Sequence, residues 1–312
     1  MSLHGPQWRA LPMEIVHAVV CEAAHSALKD DASWIAELSL VSRAVYNIVT
    51  PILYATLVVS DYNGPLVLDV IDDARRMVYV RKLCFVSEWS VHPWFDDPLR
   101  NLVLRKDWKP VFSGIKELSI SHSYSSGSAL APCLQPARLC VHDVTLTGVR
   151  RKSYLTPVLS GTTHASFAYP YEPIWEEVEW RIFGDPMFGG SEVGISINTV
   201  HDALQRLSAL THLALDMSYS SSSGTRVFDE DQVLRMLSDI LQNPYQRLEV
   251  VALRVAGGML SHRERIVRIV RRMQDSRLRV WFDDRVGDAL ALRVSDARTG
   301  CDVWTEARQF CI

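Results

Sequence analysis

The chain has 312 residues, which at roughly 150 residues per domain allows one large domain or two smaller ones. At that size about three quarters of the unfolded surface can be buried, so no disulfide or metal staple is required. Hydrophobic residues make up 48% and charged residues 22%, and 33 basic against 36 acidic side chains leave a formal charge of −3. That balance gives no bulk attraction to nucleic acid or acidic membranes and excludes a histone-like or ribosomal role.

Cys21, Cys84, Cys133, Cys140, Cys301 and Cys311 form no CxxC pair and have no His partner at finger spacing, so no metal site is expected. The start MSLHGPQWRALPME lacks the pattern of an export signal, and no apolar run reaches the roughly 20 residues of a membrane span. Scattered reduced thiols then fit the cytoplasm or nucleus, with neither nucleic acid nor membrane as partner.

In chain order, LPMEIVHAVVCEAAHSAL predicts a short amphipathic helix. Pro12 is tolerated in its first turn, Glu14 suits the positive end of the helix dipole, and Ile15, Val19 and Ala23 recur every four residues. The polar KDDAS stretch at 29–33 breaks it. Trp34, Leu38, Val41, Val45 and Ile48 then form one continuous helical stripe that Pro51 is expected to end, before a β-prone run, ILYATLVV, at 52–59.

LPMEI at 11–15, LSLVSR at 38–43 and PILY at 51–54, in this order, resemble an F-box in the form common in fungal F-box-like proteins. The resemblance implies a helical module over 8–58 that docks on a Skp-type adaptor and joins a receptor to a cullin-type ubiquitin ligase complex. Carried over position by position, it makes Leu11, Pro12, Ile15, Val19, Val41 and Ser42 the adaptor-binding candidates. Val45 stands where many F-boxes carry a tryptophan, and the segment between the helical halves is longer than in compact F-boxes. The other reading of the same helices is an N-terminal cap on the rest of the domain, with Leu11, Ile15 and Val41 buried against its core.

Beyond residue 60 one phrase recurs: an apolar residue, two variable ones, then L-x-apolar. It reads VRKLCF at 80–85, IKELSI at 115–120, PARLCV at 136–141, LTHLAL at 210–215 and LEVVAL at 248–253, with LRVWF at 278–282 a partial copy. Its period-two alternation predicts strands. Two helical patterns lie between copies: Val233, Leu234, Leu237, Ile240 and Leu241, opened by acids at 229–231 and stopped by Asn243 and Pro244, and a second from Ser261 with Glu264 as a capping box, then Ile266, Val267, Val270 and Met273. Alternating strands and helices predict right-handed crossovers and a parallel sheet. The recurrence resembles a degenerate leucine-rich repeat. The expected fold is therefore α/β: an N-terminal helical F-box-like module followed by an irregular leucine-rich-repeat-like solenoid over 59–312. A single α/β domain with a mixed sheet is the alternative.

Three stretches fall outside the pattern. Residues 121–136 and 218–225 are Ser/Gly-rich and read as loops, and 168–194 reads as an insertion whose Trp175, Trp180, Phe183 and Phe188 either form a recognition surface or pack onto the solenoid. Catalytic signatures are missing. GGSEVG at 189–194 misses the nucleophile elbow by one residue, no P-loop or GxGxxG is present, and Glu176, Glu177 and Glu179 sit on one segment instead of facing a cleft. No HxH or HExxH occurs; His201 beside Asp202 and His212 are weak catalytic candidates. Arg263, Arg265, Arg268, Arg271 and Arg272 make one helix face basic, either a solvated face or a site for an acidic partner.

These readings converge on a non-enzymatic substrate receptor without a cofactor. Alternation along the strands points Lys82, Glu117, His212, Asp216, Arg254, Arg279 and Trp281 to the open face as target-binding candidates. A non-ligase interaction scaffold is the alternative.

Overall fold

The computed structural model describes residues 11–28, 31–60, 63, 66–67, 74–86, 114–120, 135–145, 161–168, 204–205, 207–217, 228–242, 247–285, 292, 295–297 and 303–308. The Ser/Gly-rich runs at 121–134 and 218–225, the aromatic stretch from 169 to 200 with Trp175, Trp180, Phe183 and Phe188, Glu176, Glu177, Glu179, and His201 with Asp202 lie outside the described residues.

Three helices open the chain: α1 (Met13–Ala27), α2 (Ala32–Leu38) and α3 (Arg43–Leu53). Pro12 sits just before the first turn of α1 and Glu14 within it. The single stripe expected from Trp34 to Ile48 is in fact two helices. Ser42 is extended at φ −162° and caps α3 by accepting the Val45 amide at 3.2 Å, so the chain turns between Leu38 and Arg43. A serine hydroxyl satisfies a helix-start amide in this conformation, which a continuous helix would forbid. Asp31 caps α2 in the same way, accepting from Trp34. Pro51 does not end α3 but lies in its last turn, and the helix closes at Leu53. The missing amide costs little so near the end, because the following residues close with tighter bonds, Tyr54 N–H donating to Thr50 and Ala55 to Ile52. Ala24, Ile35, Val49 and Ile52 form a small core among the three helices, separate from the larger core beyond.

Among the described residues eight strands follow: β1 (Thr56–Ser60), β2 (Lys82–Val86), β3 (Glu117–Ile120), β4 (Arg138–Thr145), β5 (His164–Ala168), β6 (His212–Asp216), β7 (Val250–Ala256) and β8 (Leu278–Asp283). They form one sheet in sequence order, every pair parallel. This removes the mixed-sheet alternative. A parallel order without reversal also puts successive right-handed crossovers on the same side of the sheet. A short helix α4 (Ala74–Met77) precedes β2, α5 (Glu230–Leu241) joins β6 to β7, and a 3-10 turn (Gly257–His262) leads into α6 (Arg263–Met273) before β8; α7 (Val303–Glu306) comes last.

The strand phrase places its leucines in register. Leu57, Leu83, Leu118, Leu139, Ala165, Leu213, Val251 and Leu278 pair in one row across the whole sheet, and Val59, Phe85, Val141, Phe167, Leu215, Leu253 and Val280 lie along a second. Both rows enter a single core with Val233, Leu237 and Ile240 of α5 and Ile266, Ile269 and Val270 of α6. Each such buried side chain stabilises the fold by about 1.5–3 kcal/mol. The entry to successive strands repeats as well: the carbonyls of Ala55, Arg81, Ala137, Thr163 and Thr211 each accept two amides from the strand that follows. β5 is the copy the leucine phrase does not reveal, since Ala165 occupies the leucine position. The expected capping box at Ser261 is absent: its hydroxyl donates to the Gly258 carbonyl, and α6 begins at Arg263 after His262 with no side-chain cap. Gly257, at φ 57°, makes the left-handed turn out of β7 that a side chain would strain.

Candidate functional site

The outer side of the helical module is the first candidate. Leu11, Ile15 and Val19, four residues apart, share one side, while Val20, Cys21, Ala24 and Leu28 of the same helix pack inward. Leu11 is 43% exposed, Ile15 49%, Val19 62% and Val41 70%, with Met13, Trp34, Leu40 and Tyr46 also open to solvent. Pro12 and Ser42 are exposed at the starts of α1 and α3. Burying apolar side chains is the main driving force of folding, so an exposed set of this size on an otherwise packed trio is the candidate interaction surface. The cap arrangement, which required Leu11, Ile15 and Val41 to be buried, is not what the chain adopts.

The open face of the sheet is the second candidate, formed by the alternate residues that point away from the crossovers. Along its first row Lys82 pairs with Glu117 at 2.9 Å, Glu117 with Arg138 at 3.6 Å, and His164 stacks on His212. Thr163 Oγ1 donates to the Ala137 carbonyl at 3.1 Å and Thr211 Oγ1 to the Thr163 carbonyl at 3.2 Å. The same oxygens lie 2.9 Å from Nδ1 of His164 and His212, so each threonine fixes the ring that follows it. Burial first, then His212 and Arg138, push the His164 pKa down to about 4 against a smaller opposing pull from Glu117. The next open row is small: Val58, Cys84, Ser119, Cys140, Ser166, Ala214 and Ala252, ending at the half-buried Arg279.

The far end of the face is ionic. Arg254 donates from Nε at 3.1 Å and Nη2 at 2.7 Å to one oxygen of Asp283, lies 3.7 Å from Asp216, and meets Asp296 at 3.0 Å. Arg285 donates to both oxygens of Asp283 at 2.7 Å each and to Asp296 at 2.7 Å. Burial alone would make Arg254 easier to deprotonate, but Asp216, Asp296 and Asp283 outweigh it and hold the guanidinium charged. Burial would likewise raise the Asp283 pKa, and the hydrogen bonds from Arg285 and Arg254 keep it below the usual carboxylate range. Trp281 has Arg254 and Arg285 within 4.8 and 5.1 Å of its ring centre.

The C-terminal residues lie against this face. Ala297 packs on Cys84 and Val58 and its carbonyl accepts from Thr56 of β1, while Asp296, its neighbour in sequence, reaches Arg254 of β7. Strands about 4.8 Å apart would put β1 and β7 about 29 Å from each other in a flat sheet, against about 3.8 Å between consecutive Cα atoms. The sheet therefore curls strongly around the segment. Val303, Trp304 and Ala307 pack on Ala214, Val250, Ala252 and Trp281, Trp304 meets the His164 ring edge-on at 5.1 Å, and Arg308 makes an antiparallel bridge with Val280 of β8.

This corrects the reading of the open face as free for a target. Asp216 and Arg254 are buried, at 7% and 8% exposure, among the chain's own charges. His212, Arg279 and Trp281 are half-buried, and Lys82 and Glu117 pair with each other. Alternation put all seven on the correct face, but it cannot register a later segment returning to cover it. Asp283, Arg285, Asp296, His164 and Trp304 were missed; the Thr-His pair at 163–164, repeated at 211–212, was the available signal for His164.

On α6, Arg265 donates to Glu230 at 2.6 Å and Arg268 lies 3.8 Å from the same carboxylate, while Arg271 and Arg272 face solvent. Among the described residues no three His, Cys, Asp or Glu side chains gather to hold a metal ion, and no helix is long and apolar enough to cross a membrane. Comparison of the chain with protein-family models, with curated proteins and with solved structures finds no match.

Proposed function

We propose that the chain is the substrate-recognition subunit of a cullin-type ubiquitin ligase, holding a Skp-type adaptor with α1 to α3 and a target protein with the curled sheet. One observation carries this reading: Leu11, Ile15, Val19 and Val41 project into solvent from helices that already have a core of their own. The F-box-like motifs fall on the same residues. The chain supplies no bond-making group in this reading; it raises the effective concentration of the target near the transferring enzyme. The absence of a tryptophan at Val45 weakens the contact without removing the apolar surface, since interface energy concentrates in a few large anchors.

The test is capture of the chain by a purified Skp-type adaptor. The wild type is expected to bind and Leu11→Ala/Pro12→Ala to lose most of that binding. No capture of the wild type would overturn the ligase reading and favour a scaffold that uses the same surface for another partner.

A further inference from the structure

We infer that the open face of the sheet is a groove for an acidic and aromatic segment, that the chain's own residues 295–297 and 303–308 are its resident occupant, and that a target enters by displacing them. The word target rests on the receptor reading above; the displaceable segment does not.

The described parts of the occupant touch both ends of the strand order. The Ala297 carbonyl accepts from Thr56 on β1, the first strand in the order, and Arg308 exchanges two 2.9 Å backbone hydrogen bonds with Val280 on β8, the last. The occupant's two recognition elements are a carboxylate at Asp296 and an indole at Trp304. Asp296 is gripped by Arg254 and Arg285, and Trp304 lies over Ala214, Val250 and Ala252 and against His164. Small residues in the floor leave room for a ring, a sheet edge adds backbone pairing, and paired guanidiniums select a carboxylate.

The charge arrangement makes the occupant removable. With Asp296 withdrawn, Arg254 still holds Asp283 through two nitrogens and still has Asp216, and Arg285 still holds both oxygens of Asp283. Two cations then face two anions, so lifting the segment strands no buried charge, the usual reason such a contact cannot open. The attachments are also sparse. The occupant's buried side chains are the small Ala297 and Ala307; Asp296, Val303 and Trp304 are only partly buried, and Arg308 pairs through a single isolated bridge, unlike the ladders that join β6, β7 and β8.

Hydrogen–deuterium exchange on the full-length wild type is the first test. The Arg308 amide, bonded to Val280, is expected to exchange at least about a hundredfold faster than the amides of Leu253 and Val255 in β7, by an opening that leaves the sheet intact. Equal protection, meaning release only on global unfolding, overturns the proposal. The second test titrates full-length Trp304→Ala and wild type with a labelled synthetic peptide spanning Ser295 to Arg308. The variant is expected to bind at least about tenfold more tightly than the wild type, and a peptide with Asp296→Asn and Trp304→Ala to lose that binding. A folded variant that binds no peptide, or that binds both peptides equally, overturns the groove; an unfolded one shows the segment to be part of the core and overturns displacement. Adaptor capture uses the opposite end of the chain, so loss of either activity alone tells the two readings apart.

Discussion

The imidazoles of His164 and His212 stack on neighbouring strands, centroids 4.1 Å apart and planes 15° from parallel. Each is held by the threonine before it, and a second proton on the His164 ring would enter a half-buried stack. The His164 pKa is pushed down to about 4 in the fold, from about 6.5 as the ordinary value. Between those pH values the unfolded chain binds more protons, so stability falls as pH drops from about 6.5 to about 4 and no longer changes through this residue at lower pH. His164→Phe, which keeps the ring and removes the titration, is expected to flatten that part of the profile; denaturant midpoints of both proteins from pH 7 to pH 4 check it.

Ile35 and Val41 are both aliphatic, both in the helical module, and opposite in burial, at 0% and 70% exposure. Ile35→Ala is expected to destabilise the module by about 2–5 kcal/mol through lost burial and a residual cavity. Val41→Ala is expected to change stability by less than about 0.5 kcal/mol and to weaken adaptor capture. Chemical denaturation followed alongside adaptor binding separates the two effects.

Val19→Asp carries the surface argument further. A charge at a position 62% exposed is tolerated by the isolated chain, so the melting temperature is expected to stay within about 2 °C of the wild type. Desolvating that carboxylate against an apolar partner costs several kcal/mol, so adaptor binding is expected to fall by at least about a hundredfold. Calorimetric titration reads the second quantity and thermal melting the first.

Removing the cation from the ionic end has a predictable pH signature. Arg254→Met leaves Asp283, 1% exposed, and the buried Asp216 with one fewer guanidinium. Breaking a buried pair from one side costs about 3–5 kcal/mol. The loss is expected to be largest at pH 7, where Asp283 is charged, and to shrink as pH falls and Asp283 protonates. Unfolding free energies of wild type and variant at pH 7 and pH 4 check the sign.

Ala165 occupies a leucine position in the innermost row and is fully buried. Ala165→Leu, which restores the repeat phrase in sequence, is expected to destabilise by about 1–3 kcal/mol because the surrounding core is already filled. Thermal unfolding of the variant is the check.

That residue also marks how far the sequence could be read. Period-two alternation around Leu83, Leu118, Leu139, Leu213 and Leu253 placed strands correctly because each buries one side of a half-covered sheet, and the acidic start and Asn-Pro stop bounded α5. β5 escaped because packing there selects alanine and phenylalanine, which carry no repeat signature. The turn at Ser42 escaped because Leu38, Val41 and Val45 keep helical spacing across it, and spacing is blind to one extended residue. Exposure of Ile15 and Val19 could not be read at all: the same apolar pattern serves an inward or an outward face, and only the inner core of Ala24, Ile35 and Val49 decides between them. The covered open face was least legible, since the contact of Thr56 with Ala297 joins residues 241 apart.

Among the described residues each strand of the sheet is flanked by its neighbours in sequence, and this orders events during synthesis. A chain emerging from the ribosome N-terminus first can add one strand at a time to a finished edge, without waiting for a distant partner, and native pairings of this local kind form quickly. Helix α1, which carries Ile15 and Val19, is complete before β1 is made. Asp296 and Trp304 are made after β8, so every nascent molecule passes through a stage in which the eight strands are available and neither side chain has yet reached them.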